Sequence, residues 1–136
     1  MHSITPILLF IVGLIHLLPL SGLLGADHLA RLYGIMLDDP NLVILMRHRA
    51  LSIALLGMLL LAAARERRLR VLACCAGLAS TLSFMALGWN TPAVNPLIAR
   101  VVVADALASV CLLVALALHL FGEPVSSTPR SPGPPH

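Results

Sequence analysis

Four apolar stretches, residues 4–24, 40–64, 71–89 and 97–121, govern what this chain can fold into. Each is about as long as the ~20-residue helix needed to cross roughly 30 Å of hydrocarbon. In hydrocarbon an unpaired backbone amide or carbonyl costs several kcal/mol, and a helix satisfies these groups within one segment. Little of the chain is left over for an extramembrane domain. With 59% hydrophobic and 11% charged residues and a mean hydropathy of +0.96, it lies outside the balance of soluble globular domains. The expected fold is all-α, an integral membrane bundle of four transmembrane helices spanning residues 1–121. The first stretch has no Lys or Arg before it and carries Leu24 where a signal-peptide cleavage site needs a small residue, so it reads as a retained helix.

Local signals divide the bundle. Pro19 predicts a kink or early end to the first span. Residues 26–35 turn amphipathic: Leu29, Leu32 and Tyr33 share one side, His28 and Arg31 another, and Gly34 stops the turn. This predicts a short amphipathic outer helix between the first and second spans, lying on the membrane surface or lidding the bundle, with Tyr33 at interfacial depth. Asp39-Pro40 and Asn95-Pro96 each place a capping side chain before a proline at the first helical position, starting the second and fourth spans. Trp89 and the following Asn90 to Pro92 suit an interfacial anchor and turn.

The basic residues set orientation. Arg65, Arg67, Arg68 and Arg70 crowd the link between the second and third spans, which makes it cytoplasmic by the positive-inside rule and puts both termini in the cytoplasm. Residues 122–136, rich in Pro and Ser, are expected to be a disordered cytoplasmic tail. The net charge of +3 is not gathered on an aromatic-bearing soluble surface, so no nucleic-acid partner is expected. Cys74, Cys75 and Cys111 lie within spans without metal-type spacing, and no cofactor or metal site is expected.

Ionisable residues inside the spans are the candidate site, because charge in hydrocarbon costs about 2.5–3.5 kcal/mol per residue on insertion scales and tends to face protein, water or a ligand. His16, Arg47, Ser83 and Asp105, one per span, fall at one level, roughly 9–12 Å below the outer end of each helix. At about 100 degrees per residue, Arg47 shares a stripe with Ala50, Ala54 and Gly57, and Asp105 shares one with Ala108, Leu112 and Ala115. Arg47 is thus expected inside, paired with Asp105. Arg49 points roughly the other way, toward a neighbouring helix or snorkelling outward. His48 lies between them, and Arg100 sits about 140 degrees from Asp105 and nearer the surface. The Arg47/Asp105 pair reads either as a staple between helices or as the centre of a pocket.

Gly13 to His16, Leu32-Tyr33-Gly34, the run from Leu45 to Ala50, and Ala104-Asp105 together resemble the small bacterial four-helix inner-membrane proteins of the DoxX-like kind, in particular their uncharacterised members. The resemblance covers residues 4–121 and implies an all-helical fold in a bacterial cytoplasmic membrane. Short chains like this are sometimes called phosphopantetheine adenylyltransferases. This one has neither the phosphate-cradling glycine loop nor the room for a parallel sheet that such a soluble α/β enzyme needs.

The expected function is an accessory or ligand-binding bundle whose outer-leaflet polar cluster binds a lipid, a quinone or another anionic amphipath, or docks a partner membrane protein or a second copy. A membrane enzyme or redox component using His48 or His16 as acid or base is the alternative. A small transporter subunit is a third reading.

Overall fold

The computed structural model describes residues 4–122, so nearly all of the expected tail at 122–136 lies outside the described residues. The chain forms α1 (Ile4–Leu17), continued by a 3₁₀ segment over Leu18–Leu24, then α2 (Ala26–Tyr33), α3 (Pro40–Arg65), α4 (Arg70–Trp89) and α5 (Pro96–Phe121). A 3₁₀ turn, Arg67–Leu69, joins α3 to α4. Four segments, Ile4–Leu24, Pro40–Arg65, Arg67–Trp89 and Pro96–Phe121, are long and apolar enough to cross a membrane. Their outer surfaces stay apolar: Ile7, Ile44, Leu55, Leu107 and Val110 are each more than half exposed. A helix apolar on every side needs a protein or lipid surround.

The helix ends follow the sequence closely. Pro19 falls where α1 gives way to 3₁₀ geometry, since it lacks the N–H an α-turn requires. Asp39 accepts the Asn41 N–H at 2.9 Å and starts α3. Asn95 does the same for α5, accepting from Leu97 N at 3.0 Å and Ile98 N at 2.9 Å. Gly34 ends α2 in the left-handed region (φ 65°), where only glycine escapes the steric penalty, and donates to the Ala30 carbonyl at 2.7 Å.

The four long helices alternate in direction and stand in a ring: α1 beside α3, α3 beside α4, α4 beside α5, and α5 beside α1. The backbones of diagonal partners stand apart; no Cα atoms of α1 and α4, or of α3 and α5, come within 8 Å. The closest approach joins α1 to α3. A Cβ built on Gly57 would lie 2.9 Å from the Gly13 carbonyl oxygen and 3.1 Å from His16 Cβ, so only glycine fits there.

Packing divides the bundle along its axis. Toward the Arg-rich end lies a dry core of Leu9, Val12, Leu60, Ala63, Ala73, Cys74, Ala108, Leu112 and Ala115. At the other end α2 lies across the bundle as a lid, with Leu29, Tyr33 and Leu37 buried against Val43 and Met46 of α3 and Ile98 and Val101 of α5. In the Arg-rich link Arg70 is buried, and its Nε donates to the Ala63 carbonyl at 3.3 Å, satisfying an oxygen in the last turn of α3.

Because the Gly57 contact is backbone against backbone, Gly57→Val is expected to lower stability by about 1–3 kcal/mol. Thermal unfolding of the detergent-solubilised protein measures it. Ala62→Val, at an exposed position of the same helix, is expected to leave the midpoint unchanged.

Candidate functional site

Between the lid and the dry core the centre of the ring is not filled. A cavity of about 430 Å³ remains there, with walls from all five helices. Most of its lining is apolar, including Ile15, Leu32, Ile53, Phe84 and Val101. Its polar side chains are His16, Tyr33, Arg49, Asp105 and three serines, Ser52, Ser80 and Ser83. Exposed Leu18, Ser52, Ser83 and Leu87 mark its rim.

Arg49 is the most constrained of these groups. Its Nη1 donates to the Tyr33 hydroxyl at 2.9 Å. Its guanidinium carbon lies 5.2 Å from the Tyr33 ring centre and 4.8 Å from that of Phe84, so the cation rests against two aromatic faces. Tyr33 is positioned in turn by Asn95, whose Nδ2 donates to the Tyr33 carbonyl at 2.8 Å while its Oδ1 caps α5. One amide thus ties the lid to the start of α5 and fixes the phenol that holds Arg49.

His16 is buried on α1, its Nδ1 lying 2.9 Å from the Val12 carbonyl. Since a carbonyl only accepts, Nδ1 carries the proton, and a neutral ring presents Nε2 as an acceptor. Asp105 is half-buried on α5 and makes no side-chain hydrogen bond or ion pair with any described residue. His16 and Arg49 both lie within electrostatic reach of it. One turn further along, Thr81 and Ser109 place their hydroxyls 2.7 Å apart, and Ser109 donates to the Asp105 backbone carbonyl at 2.8 Å. That link pins α4 to α5 beneath the carboxylate.

The expected Arg47/Asp105 pair is not formed. Arg47 is exposed and outside the cavity, and the two residues belong to helices that stand on a diagonal of the ring. The buried face of α3, through Ala50, Ala54, Gly57, Leu60 and Ala63, rotates toward the Arg49 side because α3 packs on both α1 and α4. Arg47 is left on the outer flank. Of the two courses open to Arg49, the structure takes the neighbouring helix over snorkelling. His48 is exposed and does not line the cavity; only its carbonyl is engaged, by Ser52 at 3.0 Å. Arg100 is exposed and also outside the cavity, whereas Ser83 lies at the rim and donates to the Ser80 carbonyl at 2.8 Å.

Sequence reasoning did not bring Tyr33, Phe84, Ser80, Thr81, Ser109 or the second role of Asn95 to the site. Tyr33, at the end of the lid, is buried against the bundle. Among the described residues no three His, Cys, Asp or Glu side chains gather to hold a metal ion. No protein-family model, curated protein or solved structure matches the chain.

Asn95→Ala removes both the cap of α5 and the tie to the lid. It is expected to cost about 1–2 kcal/mol and to speed amide hydrogen exchange in α2 while exchange in the α1/α3 contact stays slow. Hydrogen-exchange mass spectrometry resolves the two regions.

Proposed function

We propose that this chain is a multi-pass protein of a bacterial cytoplasmic membrane, an accessory or ligand-binding bundle whose central cavity takes the polar head of an amphipathic molecule, a lipid, a quinone or another anionic amphipath. The cavity carries this reading. It is mostly apolar, and it concentrates a fixed guanidinium, a carboxylate and an imidazole at one level. Binding sites for small amphipaths combine these features, with apolar walls for affinity and a few placed polar groups for orientation. Arg49 is suited to an anionic head because its remaining N–H groups have no partner among the described residues.

The resemblance to DoxX-like proteins belongs to the same reading. So does orientation: Arg65, Arg67, Arg68 and Arg70 favour a cytoplasmic Arg-rich end, which sets the lid, α2, on the outer side and the cavity in the outer leaflet. The enzyme reading now rests on His16, which shares the cavity with Asp105, because His48 lies outside it. Turnover of a coloured or redox-active cofactor carried by the purified protein would favour that reading.

Native mass spectrometry of the full chain in mild detergent tests the proposal. A co-purified amphipath is expected on the wild type and lost, at least tenfold, from Arg49→Gln with helicity and melting midpoint retained. Equal occupancy of the two proteins would refute a cavity site. A carboxy-terminal fusion to green fluorescent protein is expected to fluoresce and the matching alkaline phosphatase fusion to be inactive; the reverse pattern would overturn the orientation.

A further inference from the structure

The cavity sorts its polar groups by wall. Asp105 comes from α5 and His16 from α1, neighbouring helices that form one side of the ring. Arg49 comes from α3 and leans on Phe84 of α4, the opposite side. The first wall accepts hydrogen bonds through the carboxylate of Asp105 and, when the ring is neutral, through the Nε2 of His16, whose Nδ1–H is committed to Val12. The second wall donates, through the guanidinium.

Opposite charges that line one low-dielectric cavity ordinarily close on each other. Here they are kept apart. The Tyr33 hydroxyl and the rings of Tyr33 and Phe84 hold Arg49 on its own wall, and Asp105 is left without a protein partner among the described residues. A separated positive and negative group form a fixed dipole, and the ligand that neutralises both ends carries the reverse dipole. A purely anionic head satisfies Arg49 but sets its charge against Asp105. A neutral head leaves both charges unanswered at a depth where an unpaired ion is costly.

Resting on the cavity-binding reading, we infer that the ligand is an aminophospholipid of the phosphatidylethanolamine class, its phosphate on Arg49 and its primary ammonium on Asp105 and His16. A primary ammonium offers three N–H donors to the accepting wall, whereas a trimethylammonium offers none. The exposed apolar rim residues Leu18 and Leu87, each 69% accessible, offer the acyl chains a path out of the ring.

The test uses the full chain in mild detergent and native mass spectrometry with four probes at matched concentration: dioleoyl phosphatidylethanolamine, dioleoyl phosphatidylglycerol, dioleoyl phosphatidylcholine and glycerophosphoethanolamine. Phosphatidylethanolamine is expected to bind about tenfold tighter than the other two lipids, the scale of one charge-assisted hydrogen bond. Asp105→Asn should bring it down to the phosphatidylglycerol level, Asp105→Glu should keep the preference, and Arg49→Gln should weaken both lipids. Phosphatidylglycerol or phosphatidylcholine binding as tightly as phosphatidylethanolamine to the wild type, or an unchanged preference in a folded Asp105→Asn protein, would overturn the ammonium assignment while leaving a lipid-binding cavity in place. Glycerophosphoethanolamine binding as tightly as the lipid would overturn the lipid source. Absence of any Arg49-dependent lipid binding would refute the cavity reading itself, and this inference with it.

Discussion

The backbones of α1 and α3 meet at Gly13 and Gly57, and the layout of the bundle depends on that contact. With no Cβ between them, the two helices approach closely enough for the Gly13 carbonyl to sit against Gly57. In lipid, where burying apolar surface gains nothing over leaving it among acyl chains, such close packing is a main source of helix association. The same contact places His16, one turn beyond Gly13, against α3, where its ring turns into the centre of the ring. The opposite seam, between α4 and α5, is held differently, by the buried Thr81–Ser109 hydroxyl pair and by Leu112 packed on Gly77.

Four helices in a ring whose diagonal backbones stand apart must fill their centre with side chains or leave space. Toward the Arg-rich end, Leu9, Leu60 and Leu112 reach inward among alanines and close it. Toward the lid the inward positions carry Arg49, His16 and Asp105, and Arg49 is drawn aside by its two aromatic neighbours. The space they leave is the cavity. Its polarity and its volume therefore share one cause: side chains that cannot pack as hydrocarbons occupy the level where the ring would otherwise be filled. Asn95 extends this control to the lid, because one side chain both starts α5 and holds the carbonyl of Tyr33.

Much of this was legible in the sequence. The spans, the Asp39 and Asn95 caps, the break at Pro19 and the stop at Gly34 are local properties, set by hydrocarbon length, missing N–H groups and left-handed backbone. His16, Ser83 and Asp105 were placed at one level by helical rise, and all three line the cavity. Arg47, expected inside, lies exposed, while Arg49 takes the neighbouring-helix course left open to it. A stripe of small residues marks a close-packed face of α3 but not how far the buried face extends to either side, and here it widens toward α4. Tyr33 was readable on the apolar side of α2 but not as the partner of Arg49, and Phe84, Thr81 and Ser109 carried no signal, since a lone aromatic or hydroxyl in an apolar segment looks the same whether it faces outward or another helix.

What the sequence determined by itself was one-dimensional: where each helix starts and stops, how far along it each polar group lies, and which residues share a stripe. Only the tertiary structure decided which stripes meet. Arg47 and Asp105 lie on helices that stand diagonally across the ring, while Arg49 reaches Tyr33 sixteen residues before it and Phe84 on the next span. The order of helices around a ring depends on the packing of all of them at once, and no single helix encodes it in its own periodicity.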